Sequence, residues 1–458
     1  MTINMGNSAA FWLVFFAAIV SPTLGFASGL PTNAVSVSPR IASPDLACDA
    51  CRMILLDPGS AETDAVDKQI VQTQARIKSG HNSGAQIERL GWLFVEKARV
   101  SNDAGFYKLA EQCALCLESA NSNSPEAMLL KGHVLHSLHR FKEAEPLALE
   151  LTKTRGLAFD FGLLGDIEYD QGKIPEAVAA YQKMVNLRPD LQAYSRVAQV
   201  RWLTGDLPGA VEAMMMAADA GSILNAEPTA WTYSRLALLQ LQSGDFSTAK
   251  RSASIALQMQ SNSAPALLAL GRIQLASGET NAAIKSLRKA ADLNHLPESQ
   301  WLLADALRQT GKTTEAAGLE KELGERGASE DPRSFSLYLS TRGLRTELAV
   351  KLARRELETR MDVFTHDALA WALKASGSLP EARAELTKAL AEGTQDARLF
   401  FHAAVINDVA GDKDEAARYS RLAWKYRQML FPSELEQLGR VAPAQESNQQ
   451  HVSNRKQN

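Results

Sequence analysis

The sequence has few of the residues on which most catalytic and metal-binding folds depend. Its 458 residues include only four cysteines and eight histidines, and aromatic residues make up 7% of the chain. Neither charge sign dominates, because 49 basic residues stand against 52 acidic ones and leave a formal net charge of -3. Nucleic-acid-binding proteins favour a clustered basic face, so a nucleic-acid partner is not expected. The low aromatic content suits a helical protein better than a sheet protein.

The motifs of several enzyme classes are also absent. The sequence contains no P-loop, no dinucleotide-binding glycine motif, no nucleophile elbow and no HExxH zinc motif. Repeats occupy nearly the whole chain and leave no room for a separate catalytic domain. We therefore expect neither an enzyme nor a cofactor.

Long hydrophobic runs are missing too, except for one near the N-terminus. Residues 9–20 are apolar, and small residues follow up to Ala27. The run is too short to span a bilayer comfortably, and this layout is typical of a secretory signal peptide. We predict an exported protein, periplasmic or secreted, with no membrane contact after signal cleavage. An uncleaved anchor and a cytoplasmic adaptor remain alternatives, since the first eight residues carry no Lys or Arg.

A column of alanines recurs at intervals of about 34 residues, the period of a two-helix repeat. Glycine stands five residues before most of these alanines, where a turn between two helices favours a positive φ. Ala or Gly also stands twelve residues before nearly all of them, as close helix packing requires. The one longer interval coincides with residues 219–228, which we predict to be an extended loop. The alanines are Ala110, Ala144, Ala177, Ala210, Ala249, Ala283, Ala316, Ala349, Ala382 and Ala416.

One unit carries the whole pattern of large and small residues. In residues 161–189 these positions are Phe161, Leu164, Gly165, Gly172, Ala177, Tyr181 and Pro189. The pattern resembles the tetratricopeptide repeat family, in its exported bacterial type, over residues 87–427. The resemblance implies an all-α fold, a right-handed α-solenoid of about ten tetratricopeptide helix-turn-helix repeats. In that family the first helix of each unit lines a concave groove that receives a peptide or a partner protein.

The predicted organisation has four parts. Residues 1–27 are a signal peptide, and residues 28–59, rich in Ser, Pro and Ala, are a flexible linker. Residues 60–430 form the repeat solenoid with a capping helix at its N-terminal end. Residues 431–458 are a polar disordered tail.

Helical geometry places a set of residues on the groove. The positions three before, one after and four after the small residue of a first helix share one face. Aromatic and charged residues alternate there, which would suit anchoring of a peptide. In the alternative interpretation the tryptophans pack between units and the charges are only solvated. The predicted groove residues are His133, His136, Asp166, Tyr169, Gln199, Trp202, Arg272, Trp301, Asp305, Arg308, Asp367, Trp371 and Lys374.

Histidines and cysteines offer a second hypothesis. His133 and His136 lie three residues apart on one helix and could bind Zn or Cu with a third ligand, although unligated histidines explain them as well. The cysteines form two CxxC pairs, Cys48 with Cys51 and Cys113 with Cys116. In an exported protein they could form disulfides that tether the linker to the first unit. Cys113 and Cys116 could equally be small buried hydrophobic residues.

The sequence thus predicts a non-catalytic scaffold or assembly factor that binds a protein or peptide in its concave groove. The alternative is a metal-handling or metal-sensing protein that uses His133, His136 and a cysteine pair. The oligomeric state is not predicted.

Overall fold

The computed structural model describes residues 44, 46–56, 65–80, 83–101 and 103–441. Within these ranges the chain forms 23 α-helices and two short 3₁₀ turns, and it has no strand. Consecutive helices pack as antiparallel hairpins, and each hairpin packs on the next. The predicted fold class, an α-solenoid, is confirmed.

Ten helix pairs, which we number units 1 to 10, form the body. Helices α1 (Asp49–Met53) and α2 (Ala65–Lys78) precede them. The pairs are α3 (Ser83–Ser101) and α4 (Gly105–Ala120), α5 (Pro125–Ser137) and α6 (Phe141–Thr154), α7 (Ala158–Asp170) and α8 (Ile174–Leu187), α9 (Leu191–Leu203) and α10 (Leu207–Asp219), and α11 (Ala226–Gln242) and α12 (Phe246–Met259). They continue with α13 (Ala264–Ala276) and α14 (Thr280–Asn294), α15 (Pro297–Gln309) and α16 (Thr313–Glu330), α17 (Pro332–Arg342) and α18 (Thr346–Leu357), α19 (Val363–Ala375) and α20 (Leu379–Ala389), and α21 (Ala397–Val409) and α22 (Lys413–Lys425). A last helix, α23 (Pro432–Val441), follows unit 10.

The small residues hold the two helices of each unit together. All ten alanines of the repeating column are buried, one in the second helix of each unit. In unit 3 the Tyr181 ring packs so closely on Gly165 that a Cβ there would lie 2.4 Å from the ring. The packing therefore requires glycine at this position, as the sequence pattern predicts.

The turns within units follow the predicted glycine rule except in units 1, 2 and 8, and in unit 8 the left-handed residues are Gly343 and Arg345. Gly172, for example, has φ 74°, and the turn glycines of units 4 to 7, 9 and 10 are also left-handed. His139 replaces glycine in unit 2 and still adopts φ 57°. This conformation costs free energy, because the β-carbon crowds the backbone in the left-handed region. In unit 1 Gly105 is instead the first residue of α4 and is not among the left-handed residues.

The extended loop predicted between units 4 and 5 is wrong in its length. A 3₁₀ turn occupies Ile223–Asn225, and α11 already begins at Ala226. Most of the added residues lengthen α11, which has 17 residues where the first helices of its neighbours have 13.

Part of the predicted flexible linker is packed against the solenoid. Helix α1 contacts α4, and a disulfide joins Cys51 to Cys116. Gln74 on α2 donates hydrogen bonds to the carbonyl oxygens of Ile54 (2.8 Å) and Leu56 (3.0 Å). Residues 46–56 are therefore anchored to the solenoid. The sequence could not predict this ordered structure, because the segment has no apolar periodicity. The remaining linker residues before 44 lie outside the described residues, as does the predicted signal peptide, residues 1–27.

The boundary of the predicted disordered tail is also wrong. Residues 432–441 form α23, whose Leu438 is fully buried. Residues 442–458 lie outside the described residues. Across the described ranges, no helix combines the length and apolar character needed to cross a bilayer.

Candidate functional site: the inner surface of the superhelix

The first helices of the units together form the inner surface of the superhelix, defined here by His133, Asp166, Gln199, Arg235 and Arg272. Segments that follow later units in the sequence also contact the first helices of earlier units. Arg360 lies 2.9 Å from the carboxylate of Asp170, and their separation in sequence is 190 residues. The Thr394 hydroxyl donates to the carbonyl oxygen of Leu203 at 2.6 Å, 191 residues away.

A third contact has nearly the same separation. The Gln428 amide donates to the carbonyl oxygen of Leu241 at 3.1 Å, 187 residues away. Units 3, 4 and 5 therefore meet the segments that follow units 8, 9 and 10. We call these three contacts, Asp170–Arg360, Leu203–Thr394 and Leu241–Gln428, the inter-turn contact. The solenoid completes a turn in about five units, and its second turn packs against its first.

Two turn glycines lie at the inter-turn contact. A Cβ on Gly172 would be 2.5 Å from the carbonyl oxygen of Met361, and one on Gly205 would be 2.6 Å from that of Gly393. A Cβ would meet no other described residue within 4 Å at the turn glycines of units 5 and 6, Gly244 and Gly278. Glycine at residues 172 and 205 thus serves both the turn and the close approach of backbone.

Four predicted groove residues are buried inside the protein. Trp301 and Trp371 are the largest fully buried side chains, and Asp305 and Asp367 are 3% exposed. The Trp301 Nε1 donates to the Ser433 hydroxyl at 3.2 Å, and Asp305 accepts a hydrogen bond from the Ser433 backbone N–H at 2.9 Å. Trp301 and Asp305 therefore hold α23 rather than face an open groove. Partner binding by the predicted groove residues stays a prediction. The burial of these four leaves fewer of the predicted residues free to contact a partner.

In unit 9, Asp367 and Trp371 bind the neighbouring unit. The Nδ1 of His402 lies 2.9 Å from both carboxylate oxygens of Asp367. Its ring stacks on Trp371 with centroids 4.2 Å apart. Lys374 lies over the Trp371 ring, with its Nζ 4.5 Å from the ring centre. Arg308 of unit 7 is exposed and pairs with Glu320.

The half-buried residues of units 3 to 6 also contact the second turn or each other. Gln199 donates to the Tyr169 hydroxyl at 2.9 Å. Trp202 stacks on Phe364, and Arg272 donates to the carbonyl oxygen of Met429 at 2.7 Å. The chain therefore covers much of the predicted groove with its own later units.

Units 2 and 3 contribute a further part of the inner surface. Asp166 accepts hydrogen bonds from Arg196 (2.7 Å) and from the Tyr181 hydroxyl (2.8 Å). Burial raises the pKa of Asp166, but the Arg196 guanidinium outweighs it and leaves the pKa below its ordinary value. His133 packs on Trp92 with ring centroids 5.3 Å apart. Burial, together with His136, lowers the pKa of His133 to about 3, so this ring is neutral at physiological pH.

The histidines do not assemble with cysteines into a metal site. His136 Nε2 lies 3.0 Å from a carboxylate oxygen of Asp170, so it is paired within the inner surface. His139 lies in the turn. Among the described residues only Cys48, Cys51 and Cys116 bring three ligand atoms within 4.8 Å of one another. The cysteine cluster gives the metal-handling alternative only weak support, because neither His133 nor His136 belongs to it.

Sequence reasoning missed Arg196 and Arg235. Each lies two residues before the small residue of its helix, Ala198 or Ala237, a position outside the predicted face. Arg235 lines a cavity of about 120 Å³ together with Trp202, Arg272, Asp396, Arg398 and Met429. A wider helical face would have included both arginines, because helix positions differ by about 100° per residue.

Comparison with known proteins also indicates a repeat protein. The tetratricopeptide repeat family matches residues 163–222, 234–294 and 268–330. The fold and the inner surface therefore define a solenoid of tandem helical repeats, and the matched segments, which lie in units 3 to 7, are similar to tetratricopeptide repeats. The search of curated proteins found no match.

Solved structures resemble the chain at low identity. The crystal structure of the APC/C hetero-tetramer Cut9-Hcn1 has 13% identity and a TM-score of 0.31, and the match covers 83% of this chain and 97% of that one. The human IFIT1 dimer with PPP-AAAA has 15% identity and a TM-score of 0.45, with coverage of 71% and 78%. The MamA protein has 17% identity and a TM-score of 0.30, with coverage of 37% and 92%. Likenesses of this size give no ground for transferring a ligand or an activity.

Proposed function

We propose that the chain is a non-catalytic scaffold that holds a protein or peptide partner on the inner surface of its superhelix. Tetratricopeptide repeats suggest a protein-interaction role, and the proposal narrows it to the cavity around Arg235, where residues of the second turn face those of the first. The mechanism is shape complementarity with side-chain anchoring, and no bond is made or broken.

The observation that carries the proposal is the isolation of Arg235. Three neighbouring arginines each have a carboxylate: Arg196 has Asp166, Arg272 has Glu298 and Arg398 has Glu434. Arg235 is half-buried on α11, and within the described part of the chain it makes no hydrogen bond or ion pair. Burial lowers the pKa of Arg235, and Glu298 opposes this effect only from a distance.

A partly buried guanidinium that makes no hydrogen bond or ion pair is unfavourable, because it has lost water and gained no direct partner in exchange. A carboxylate from a bound partner would supply charge-assisted hydrogen bonds and remove that cost. The partner is therefore expected to present an acidic side chain or a chain-terminal carboxylate to Arg235.

The size of the cavity limits what enters it. Ligand pockets for whole small molecules usually measure roughly 300 to 1,000 Å³. The Arg235 cavity, at about 120 Å³, is closer to the volume of one side chain. We infer that one residue of a longer peptide enters it, while neighbouring residues lie along units 2 to 5.

The test uses fluorescently labelled peptide pools rich in Asp and Glu, with Lys-rich pools of matched length. The full chain should bind the acidic pool, and Arg235→Ala should weaken binding at least about tenfold, because a hydrogen bond to a charged group contributes about 1.5 to 3 kcal/mol. Arg308→Ala is the matched control, since Arg308 is exposed and already paired. Equal binding of both pools, or equal loss in both variants, would reject the proposal.

We also propose that the protein is exported, of the bacterial periplasmic or secreted type. The apolar run at residues 9–20 supports this, and so does the Cys51–Cys116 disulfide, because such bonds persist in oxidising compartments. Cell fractionation with N-terminal sequencing of the mature chain tests it. A protein found in the cytoplasm with its first residues intact would contradict export.

A further inference from the structure

Three cysteine sulfurs meet where the N-terminal segment packs on unit 1. The Sγ atoms of Cys48, Cys51 and Cys116 lie within 4.8 Å of one another. Cys51 has two possible partners, since its Cα is 4.9 Å from that of Cys116 and 5.2 Å from that of Cys48. Both separations suit a disulfide. One sulfur forms one disulfide at a time, so the two linkages are alternatives and one sulfur remains a thiol.

The surroundings give the three sulfurs different roles. Cys51 and Cys116 are fully buried, whereas Cys48 is half-buried and reachable from solvent. The Cys48 sulfur accepts hydrogen bonds from the Cys51 backbone N–H (3.1 Å) and from the Ser119 hydroxyl (4.0 Å). Such donors favour the thiolate, which is the nucleophilic form of cysteine. In the described part of the chain neither of the other two sulfurs accepts a hydrogen bond.

We propose that Cys48, Cys51 and Cys116 form a thiol–disulfide exchange site. The Cys48 thiolate attacks Sγ of Cys51, the Cys48–Cys51 bond forms, and the Cys51–Cys116 bond breaks. The electron pair of the broken bond leaves with the Cys116 sulfur, which takes up a proton. One disulfide and one thiol are present before and after the step, so it needs no oxidant or reductant.

The same three sulfurs could in principle hold a thiophilic metal ion. That would require three thiolates in a largely buried place, where only Cys48 receives hydrogen bonds. Buried charge without such support is unfavourable. The arrangement therefore favours exchange, which needs a single thiolate, and metal binding is an outcome that the test can detect.

The exchange changes what holds the N-terminal segment. The Cys51–Cys116 bond joins residues 65 apart and fixes α1 to α4, whereas Cys48–Cys51 spans three residues within the segment. After exchange only non-covalent contacts remain, chiefly the Gln74 hydrogen bonds and the buried Ile54. The site thus controls a covalent link between residues 46–56 and the repeats.

Disulfide mapping of the full chain, purified without reductant, tests the proposal. Free thiols are blocked with N-ethylmaleimide, and the digest must separate the cysteines of each pair. Asp-N cuts before Asp49, between Cys48 and Cys51, and chymotrypsin cuts after Leu115, between Cys113 and Cys116. Mass spectrometry then reports both linkages and the labelled cysteine.

The expected result is a mixture of both linkages, with the label on Cys48 in one form and on Cys116 in the other. Their ratio should stay fixed at about pH 4 and relax within minutes after a jump to about pH 8, because the thiolate is the attacking species. Cys48→Ser should show only Cys51–Cys116. Cys113→Ser, which removes a buried thiol outside the cluster, should behave as the parent protein.

Finding only Cys51–Cys116 in the parent protein, with Cys48 fully labelled at both pH values, would overturn the proposal. So would stoichiometric metal in the freshly isolated protein that all three single Cys→Ser changes remove. The disulfide mapping of the parent protein tests the proposal even if a variant folds poorly. Circular dichroism identifies a poorly folded variant.

Discussion

Trp202 and Phe364 lie face to face, with ring centroids 5.3 Å apart and planes inclined by 12°. Trp202 belongs to unit 4 and Phe364 to unit 9, so this stack joins the first turn of the superhelix to the second. The indole Nε1 of Trp202 also donates to Gln242 at 3.0 Å. A residue that the sequence pattern assigns to partner binding thus stabilises the fold of its own chain.

The stack predicts energetic coupling between distant units. Trp202→Ala and Phe364→Ala should each lower the free energy of unfolding by about 2 kcal/mol, less than for fully buried aromatics because both rings are half-buried. The double variant should lose about 1 kcal/mol less than the sum of the two single losses, because either single change already removes the contact between the rings. Urea titrations measure all four proteins. Trp231→Ala, at an exposed indole on α11, is the control, and strictly additive effects would contradict the stack.

The pKa of Asp170 predicts how the stability of the protein changes with pH. Burial raises the pKa of this carboxyl, but the hydrogen bond from His136 and the charge of Arg360 outweigh it and lower the pKa to about 2. The folded protein therefore binds the proton less readily than the unfolded chain, whose Asp has a pKa near 4. The stabilisation is fully present above about pH 4 and is lost as the pH falls towards about 2.

Asp170→Asn should accordingly cost about 2 kcal/mol of unfolding free energy at neutral pH, the equivalent of the pKa shift. The difference from the parent protein should narrow between about pH 4 and about pH 2. Asp414→Asn, on the exposed side of α22, should change stability little at any pH. A constant Asp170→Asn difference across this range would show that the carboxylate is not paired in the folded state.

His133 acts in a higher pH window. Burial, with His136, lowers its pKa to about 3, while an unfolded histidine has a pKa near 6.5. Protonation between these values favours the unfolded chain, so stability should fall as the pH drops from about 6.5 towards about 3. His133→Phe cannot bind the proton and should lose less stability over this window. Parallel stability curves for the two proteins would rule out a neutral, buried His133.

The hairpins could be predicted from sequence because their packing is local. Each buried alanine, such as Ala177, and each close-contact glycine, such as Gly165, reports only on its own unit. That information repeats ten times, so the number of units follows directly. His139 shows that even a missing glycine leaves the turn conformation unchanged.

The winding of the superhelix could not be predicted in the same way. Pitch is the sum of small rotations between units, and no single position encodes it. Trp301 illustrates the consequence, because its burial depends on Ser433 and Phe431, which belong to the segment predicted as a disordered tail. Arg235 was missed for a related reason: its isolation becomes visible only when the carboxylates around its neighbours are located.

The central claim is that the second turn packs against the first, and turn glycines test it most directly. Gly172 and Gly278 have nearly equal φ values, 74° and 77°, and Gly205 and Gly244 have 84° and 83°. Alanine at any of the four should cost about 1 kcal/mol for its left-handed conformation. Only at Gly172 and Gly205 would the new Cβ also meet backbone carbonyls, those of Met361 and Gly393.

The measurement is the free energy of unfolding of the four Gly→Ala variants under identical conditions. We predict that Gly278→Ala and Gly244→Ala lose about 1 kcal/mol, and that Gly172→Ala and Gly205→Ala lose at least about 1 kcal/mol more, since rigid backbone must move. Equal losses in all four variants would contradict contact between the turns, and with it the Arg235 cavity that both turns line and on which the proposed binding mode rests.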